Sequence, residues 1–349
     1  MLNHRSVDSG KNVLVAGGAG YIGSHIVLTL LEAGFHPIVV DDFSTGSRSS
    51  TPEGVPIYEG DIGDQHFMQS VLSQHAIESL IHMAASILPF ESLENPFKYY
   101  LNNTAKSSSL LEVAGAHGIR HVVFSSTAAV YSLPKTLNPV PEGGSLGPLT
   151  PYGRSKLMVE QLIPFLAETY GFNSCILRYF NVAGADPAMR IGSVAHQGTH
   201  LVKVACEAAV GARPHVAVYG VDYPTPDGTC IRDYVHVSDL ADAHVCALKK
   251  LIEAPSESWT FNCGYGRGYS VLEVLDAFDD VVGTPVPRRI GERRPGDSAY
   301  IVADSTRITE VLNWTPRHCD LKTILTHALA WEKLRAARGQ TTIAGCKQL

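Results

Sequence analysis

Short apolar runs alternate with longer amphipathic segments through the first half of the chain. The first run spans residues 12–16 and is followed by three spaced glycines and a helical pattern over residues 21–33. Parallel strands need helical crossovers, so this alternation predicts a doubly wound α/β fold with a parallel sheet. Later strands are predicted at residues 37–40, 55–58, 80–83, 122–124 and 174–177, with helices at residues 65–74, 96–117 and 152–170.

The pattern changes in the second half, where Gly, Pro and Asp cluster at residues 185–198 and 220–228. We expect this part to form a smaller mixed α/β lobe, with some segments returning to the core of the first domain. Ser238, followed by aspartates, predicts the start of a helix that runs to about Leu251. A last helix is predicted over residues 321–338.

The chain has 349 residues, which at about 150 residues per domain indicates two domains. We place them at residues 12–180 and 181–349, after a polar tail at residues 1–11. The composition, 45% hydrophobic and 18% charged, excludes a disordered chain. A net charge of −6 provides no basic field for nucleic acid.

Cysteine and histidine usage also bears on function. Seven widely spaced cysteines without a CxxC pair favour a reducing cytoplasm, and scattered histidines predict no metal site. The polar N-terminal segment does not resemble a signal peptide, and no apolar run is long enough to cross a membrane. We therefore expect a cytoplasmic protein without membrane or nucleic-acid partners.

Three glycines, Gly17, Gly20 and Gly23, stand between the first predicted strand and its helix. In this context they let the backbone approach a pyrophosphate at the positive end of the helix. Asp41 ends the second strand, where a carboxylate can bind ribose hydroxyls. Asp41 and Asp42 would repel a 2′-phosphate, so the predicted cofactor of this Rossmann domain is NAD and not NADP. A plain strand-to-helix turn is the alternative.

Tyr152 and Lys156 are four residues apart, which places a phenol and an ammonium on one face of a helix. We expect Lys156 to lower the pKa of Tyr152, so that the phenol exchanges a proton with a sugar hydroxyl. Ser125 and Thr127 close the fifth strand, at the edge where open α/β sheets bind ligands. Surface residues and a hydroxyl-rich turn are the structural alternatives.

Several stretches together resemble the UDP-glucose 4-epimerases of the extended short-chain dehydrogenase/reductase family. The similarity extends over about residues 12–335. The stretches are GGAGYIGSH (17–25), GDI (60–62), SSTAAVY (125–131), PYGRSKLMVEQ (151–161), LRYFN (177–181) and DYPTPDGTCIRDYVHVSDLADAH (222–244).

The resemblance implies a reaction in which tightly bound NAD removes hydride from C4 of a UDP-sugar and returns it to the opposite face. It makes residues 12–180 the NAD-binding domain and residues 181–349 mainly the UDP-sugar-binding domain of a homodimer. It also implies that Tyr152 is the base and acid, that Lys156 tunes it, and that Thr127 orients the C4 oxygen.

The resemblance extends to the binding residues. The implied cofactor contacts are Gly17, Gly20, Tyr21, Ile22, Gly23, Asp41, Asp42, Phe43, Asp61, Ile62, Met83, Ala84, Ala85, Asn102, Ser125, Tyr152, Lys156 and Phe180. The implied substrate contacts are Thr127, Asn181, Thr199, His200, Tyr219, Arg232, Arg294, Asp297 and Ile301. The two arginines suit a diphosphate, although Asp233 and Asp297 stand close enough in sequence to offer ion pairs instead.

Three other functions stay open at this point. The enzyme could be a 4-epimerase of another UDP-sugar, such as UDP-N-acetylglucosamine or UDP-xylose. A dehydratase or decarboxylase is disfavoured because Ala128 and Ala129 stand where dehydratases of the family carry an acid. A non-catalytic NAD-binding sensor would not need Tyr152, Lys156 and Thr127 together.

Overall fold

The computed structural model describes residues 11–134, 136–194 and 198–346, and of residues 339–346 the backbone alone. All but the last residue of the predicted tail at 1–11 therefore lies outside the described residues.

The described residues form strands and helices in the following order along the chain. The strands are β1 (Asn12–Ala16), β2 (His36–Asp41), β3 (Ile57–Glu59), β4 (Ser79–His82), β5 (His121–Thr127), β6 (Asn173–Tyr179), β7 (Asn181–Ala183), β8 (Val216–Tyr219), β9 (Ile231–His236), β10 (Trp259–Cys263), β11 (Gly268–Ser270), β12 (Arg288–Gly291) and β13 (Tyr300–Ile301). The helices are α1 (Tyr21–Glu32), α2 (Gln65–Gln74), α3 (Pro89–Glu94), α4 (Pro96–Tyr99), α5 (Lys106–Ala116), α6 (Pro151–Tyr170), α7 (Leu201–Ala209), α8 (Val237–Glu253), α9 (Val271–Val282), α10 (Thr306–Leu312) and α11 (Leu321–Cys346).

A seven-stranded parallel sheet forms the centre of the molecule, in the order β10-β6-β5-β4-β1-β2-β3. Its central strands β1, β4 and β5 are fully buried because helices cover both faces. Helices α1 and α8 pack on one face, and α2, α5 and α6 pack on the other. The predicted doubly wound α/β fold is confirmed. Strand order reverses between β1 and β4, where such sheets bind ligands.

The second half of the chain contributes to two regions. Strand β10 pairs with β6 at the edge of the large sheet, and α8 packs against α1. The remaining strands form a small mixed sheet around β9 and the parallel pair β8 and β12. Helices α7, α9 and α11 bury a separate apolar core beside them. Among the described residues, no helix is long and apolar enough to span a bilayer.

Three predicted helices differ from the observed ones. The helix predicted at residues 96–117 is interrupted by a π-helical segment, Tyr100–Ala105, in which the Asn103 amide donates to Ser86 and Ser155. The cap predicted at Ser238 is wrong, because His236 is the cap: its Nδ1 accepts the Ser238 N–H, and the helix starts at Val237. The last helix continues beyond residue 338 to Cys346.

Candidate functional site

The glycine turn after β1 is built so tightly that two of its positions exclude a side chain. Gly17 has φ +81°, and a Cβ there would lie 2.6 Å from the backbone nitrogen of Ala84. A Cβ on Gly23 would lie 2.1 Å from the Gly17 carbonyl oxygen. Helix α1 begins at Tyr21, directly after Gly20. The open N–H groups of its first turn lie beside β4 at the switch point, where a pyrophosphate would meet the helix dipole.

Asp41, at the end of β2, holds this turn in place. Its Oδ2 accepts the Ala19 N–H and its Oδ1 accepts the Phe43 N–H, both at 2.9 Å. Burial raises the pKa of Asp41 above its ordinary value although these hydrogen bonds oppose the shift. Each oxygen keeps lone pairs that suit ribose hydroxyls. Arg48, the nearest arginine along the chain, is paired with Glu59 at 2.5 Å, so this arginine is not free to bind a 2′-phosphate.

The other residues proposed for the cofactor differ in the partners and in the exposure of their side chains. The Asp61 carboxylate forms an ion pair with Lys106 at 2.6 Å, and the Asn102 amide donates to Ser86 Oγ at 3.0 Å. The Ile62 side chain is buried in the core, so it offers a ligand only its backbone. Further members of the set are the half-buried Ile22, Met83, Ala84 and Ala85, the exposed Asp42 and the buried Phe180.

Tyr152 and Lys156 lie buried in the first turns of α6, beside the end of β5. The helix is capped by Thr150, whose hydroxyl accepts the Gly153 N–H at 3.2 Å. Tyr152 is 7% exposed and Lys156 2% exposed. The Thr127 hydroxyl accepts the Ala129 N–H at 3.1 Å, and the same hydroxyl interacts with the Tyr152 phenol. The phenol and the Thr127 hydroxyl therefore meet at the carboxyl end of the sheet, and the Lys156 side chain reaches the same strand at the Ser125 carbonyl.

Burial changes the electrostatic relation expected between Tyr152 and Lys156. It raises the pKa of Tyr152 above 10.0, and the Thr127 hydroxyl opposes this shift. Burial also lowers the pKa of Lys156 to about 7. The Lys156 ammonium donates to the Ser125 carbonyl at 2.9 Å and lies 4.9 Å from the centre of the Phe124 ring. In the polypeptide by itself, burial and the Thr127 hydroxyl therefore determine the pKa of Tyr152, and its acidification by Lys156 together with NAD stays a prediction.

His244, the last residue of the stretch at 222–244, was assigned no role from the sequence, and its ring contacts the Ser125 hydroxyl. Nδ1 of His244 lies 2.8 Å from the Leu240 carbonyl, which can only accept, so Nδ1 carries the proton. Burial lowers the pKa of His244 to about 4, so the ring is neutral at pH 7 and its Nε2 accepts the Ser125 hydroxyl at 2.8 Å. The two residues are 119 positions apart, which explains why spacing alone did not connect them.

In the second half, one carboxylate joins the two arginines proposed for the substrate. Asp297 Oδ1 accepts from Arg232 at 2.8 Å, and its Oδ2 accepts from Arg294 at 2.9 and 3.1 Å. Asp233 does not pair with either arginine. It is fully buried and accepts backbone N–H groups of Tyr265, Gly266 and Ala303. The ion-pair alternative is thus correct for Asp297 and wrong for Asp233.

The remaining substrate candidates lie on separate elements of the second half. Asn181 begins β7, and Tyr219 ends β8 with 42% of its surface exposed. Thr199 and His200 are exposed immediately before α7. Ile301 in β13 packs against a small apolar cluster that includes Val130, just after the end of β5. Within the described ranges, no group of three or more His, Cys, Asp or Glu side chains could hold a metal ion.

Comparison with known proteins gives consistent results. Residues 13–264 match the model of the NAD dependent epimerase/dehydratase family. UDP-glucose 4-epimerase from Azospirillum brasilense is 50% identical over 334 residues, which is 95% of both chains. The enzyme of the same name from Lacticaseibacillus casei is 45% identical over 322 residues, covering 92% of this chain and 96% of its own.

Solved structures agree with these relatives. UDP-glucose 4-epimerase from Brucella ovis, in complex with NAD, has a TM-score of 0.88 and 42% identity, covering 92% of this chain and 98% of its own. The enzyme from Stenotrophomonas maltophila, with bound NAD and formylated UDP-arabinopyranose, has a TM-score of 0.90 and 39% identity, covering 94% and 99%. The glycine turn, the Tyr152 site and this similarity along nearly the whole length show that the chain belongs to the NAD-dependent epimerase/dehydratase family.

Proposed function

We propose that the protein is a UDP-glucose 4-epimerase, which interconverts UDP-glucose and UDP-galactose with tightly bound NAD. The main observation in support of this function is the placement of three side chains at the carboxyl end of the sheet. Thr127 ends β5 and interacts with Tyr152, and Tyr152 and Lys156 lie in the first turns of α6. The relatives that share this name are similar along nearly the entire chain. The protein is therefore an isomerase and not a non-catalytic sensor.

The cofactor site suits NAD in both shape and charge. The excluded side chains at Gly17 and Gly23 leave the backbone at the mouth of α1 open to a pyrophosphate. The carboxylate of Asp41 suits the hydroxyls of the adenine ribose. When bound, NAD supplies the acceptor for the two electrons and hydrogen of C4 and a positively charged ring beside the phenol.

Tyr152 takes the proton of the C4 hydroxyl and later returns it to the C4 oxygen. Thr127 donates to that oxygen and keeps it at the phenol. Lys156, whose Nζ donates to the Ser125 carbonyl at 2.9 Å, is the residue we expect to bind the nicotinamide ribose. It adds a positive charge near the phenol only in its protonated form, because burial lowers its pKa to about 7. The low-dielectric surroundings strengthen the attraction between these charges.

The second half of the chain holds the nucleotide end of the substrate. Arg232 and Arg294, linked by Asp297, suit the diphosphate through charge-assisted hydrogen bonds. Ala128 and Ala129 follow Thr127 without a carboxyl group. An acid for eliminating water is thus missing at this position, so return of hydride is favoured over dehydration. Ile301 is the residue whose size we expect to limit N-acetylated sugars.

The experiment begins with denaturing the purified protein and assaying for released NAD. The native protein is then incubated, without added cofactor, with UDP-galactose carrying deuterium at C4. We expect NAD in the supernatant and UDP-glucose that keeps the deuterium. UDP-N-acetylgalactosamine is the comparison substrate and is expected to react more slowly. The proposed reaction is contradicted if the protein neither contains NAD nor can bind it, or if the deuterium is lost to solvent.

An exposed apolar face on α4, the π-helical segment after it and α6 supports a homodimer. Phe97 and Leu101 are 73% and 49% exposed, and Met158 and Phe165 are 42% and 70% exposed. Met158 and Phe165, seven residues apart, lie on one face of α6. Leu101 lies in the π-helical segment Tyr100–Ala105, four residues after Phe97. A groove of about 650 Å³ lies beside them, lined by Tyr100, Pro148, Arg154, Leu157, Met158 and Gln161. Exposed apolar patches of this kind mark interfaces.

Light scattering coupled to size-exclusion chromatography tests this assembly. Phe165→Glu places a charge on the face and should convert the protein to a monomer. Ile290→Glu, at a residue that is 66% exposed on β12, is the matched control and should leave the mass unchanged. A monomeric wild type, or a dimeric Phe165→Glu variant, refutes an interface on this face.

We also infer a cytoplasmic location. Six cysteines are unpaired in the described structure, and four of them are buried among apolar or polar side chains: Cys175, Cys206, Cys230 and Cys263. Free thiols in these numbers suit a reducing compartment. Cell fractionation tests this location, with a thiol-reactive tag on the exposed Cys319 to follow the protein.

A further inference from the structure

The Arg294 guanidinium lies close to two aromatic rings. Its central carbon lies 4.4 Å from the centre of the Phe90 ring and 4.6 Å from that of the Tyr219 ring. Phe90 stands in α3, on the segment that follows β4 of the large sheet, whereas Arg294 and Tyr219 belong to the second half. The contact therefore connects the two parts of the protein at the arginine proposed for the diphosphate.

The hydrogen bonds of Arg294 leave one edge of its guanidinium available. Nε and Nη2 donate to Asp297 Oδ2 at 3.1 and 2.9 Å, and within the described part of the chain Nη1 has no hydrogen-bond acceptor. Asp297 fixes one edge of the guanidinium. Because both hydrogen bonds go to the same oxygen, Oδ2, the guanidinium plane can still rotate about that oxygen. The two rings, at 4.4 and 4.6 Å from the central carbon, restrict this rotation, because a planar cation is most stable parallel to an aromatic face.

We propose that Phe90 is a positioning residue for substrate binding, which holds the Arg294 plane so that its Nη1 edge is presented to the diphosphate of the UDP-sugar. The proposal rests on the proposed function for the identity of this ligand. Phe90 supplies no hydrogen bond itself. Because Phe90 restricts the Arg294 side chain before the ligand arrives, less conformational entropy is lost when the ligand binds.

An ordinary packing role for Phe90 makes different predictions. If its ring only fills space, a leucine or methionine of similar bulk would replace it without loss of affinity. If its aromatic face holds the guanidinium, tyrosine would replace it and aliphatic residues would not. The loss would also be limited to ligands that carry the diphosphate.

Calorimetric titration of the NAD-loaded protein with UDP and with uridine separates these roles. The variants are Phe90→Leu, Phe90→Met as a second aliphatic replacement, and Phe90→Tyr. Leu93→Ala is the control. Leu93 is an exposed apolar residue (44%) of the same helix, and its aliphatic side chain offers no aromatic face to an arginine. We expect the two aliphatic variants to bind UDP about fivefold to tenfold more weakly, which corresponds to about 1–1.4 kcal/mol.

The tyrosine and Leu93→Ala variants should stay within twofold of wild type, and uridine affinity should not change in any of them. In turnover, the aliphatic variants should raise KM and leave kcat unchanged. Wild-type affinity for UDP in both aliphatic variants overturns the proposal. So does an equal loss in the tyrosine variant or in uridine binding.

Failure of the proposed function gives a different result. A wild-type protein that binds UDP but does not interconvert the two sugars overturns the epimerase assignment and leaves the role of Phe90 to be decided by the UDP titrations. A wild type that does not bind UDP overturns both.

Discussion

Replacing Lys156 with methionine should stabilise the protein while removing its activity. The ammonium is 2% exposed, and burial lowers its pKa from 10.5 to about 7. Each unit of pKa displacement corresponds to about 1.4 kcal/mol, and at pH 7 half of the folded molecules have released the proton, so keeping this lysine in the fold costs about 4 kcal/mol at that pH. The Ser125 hydrogen bond and the contact with the Phe124 ring offset about 1–3 kcal/mol of this cost.

The sign of the pH dependence follows from the direction of the shift. Between about pH 7 and 10.5 the unfolded chain binds the proton and the folded chain does not, so folding becomes more favourable as pH rises. At pH 9 the remaining cost is about 2 kcal/mol. The Lys156→Met variant should therefore be more stable than wild type by about 1–3 kcal/mol at pH 7, and this advantage should shrink by about 2 kcal/mol by pH 9.

Urea unfolding of NAD-stripped protein at pH 7, 8 and 9 measures this difference. Lys322→Met, at an exposed lysine of α11, is the control and should show a difference from wild type that does not change with pH. A Lys156→Met variant that is less stable than wild type at pH 7 refutes the reasoning. A stability gain that stays constant from pH 7 to 9 refutes it as well, because the cost would then not come from titration.

Two further predictions concern the phenol and the glycine turn. Tyr152→Phe should lower the turnover of UDP-galactose by about 10²–10⁴-fold while the NAD released on denaturation stays at the wild-type amount; retained turnover would exclude the phenol from proton transfer. Gly17→Ala should abolish NAD retention and cost more than about 2 kcal/mol in urea unfolding, because its Cβ meets Ala84 in addition to the unfavourable φ. Gly34→Ala, with φ +79° and no atom within 4 Å of the added Cβ, should cost only about 1–2 kcal/mol and keep NAD; equal effects of the two would contradict steric exclusion at the turn.

Locally encoded features were predictable from the sequence. The alternation of strands and helices gave the parallel sheet, because the side-chain periods of 2 and 3.6 follow from backbone geometry alone. The spacing of Tyr152 and Lys156 placed both on one helix face for the same reason. The π-helical segment at Tyr100–Ala105 was not predictable, since it is stabilised by hydrogen bonds from Asn103 to residues elsewhere in the chain.

Features that depend on packing between distant segments were decided by the tertiary structure. The sequence indicated which arginines could bind a diphosphate, but Asp297 pairs with Arg232 across 65 residues and leaves Asp233 to backbone groups. Likewise, the spacing of Tyr152 and Lys156 suggested an acidified phenol, whereas burial sets both pKa values. A pattern in sequence specifies the direction of a side chain on its own element. Its partners and its desolvation depend on which elements pack against it, and these become definite only when the chain is folded.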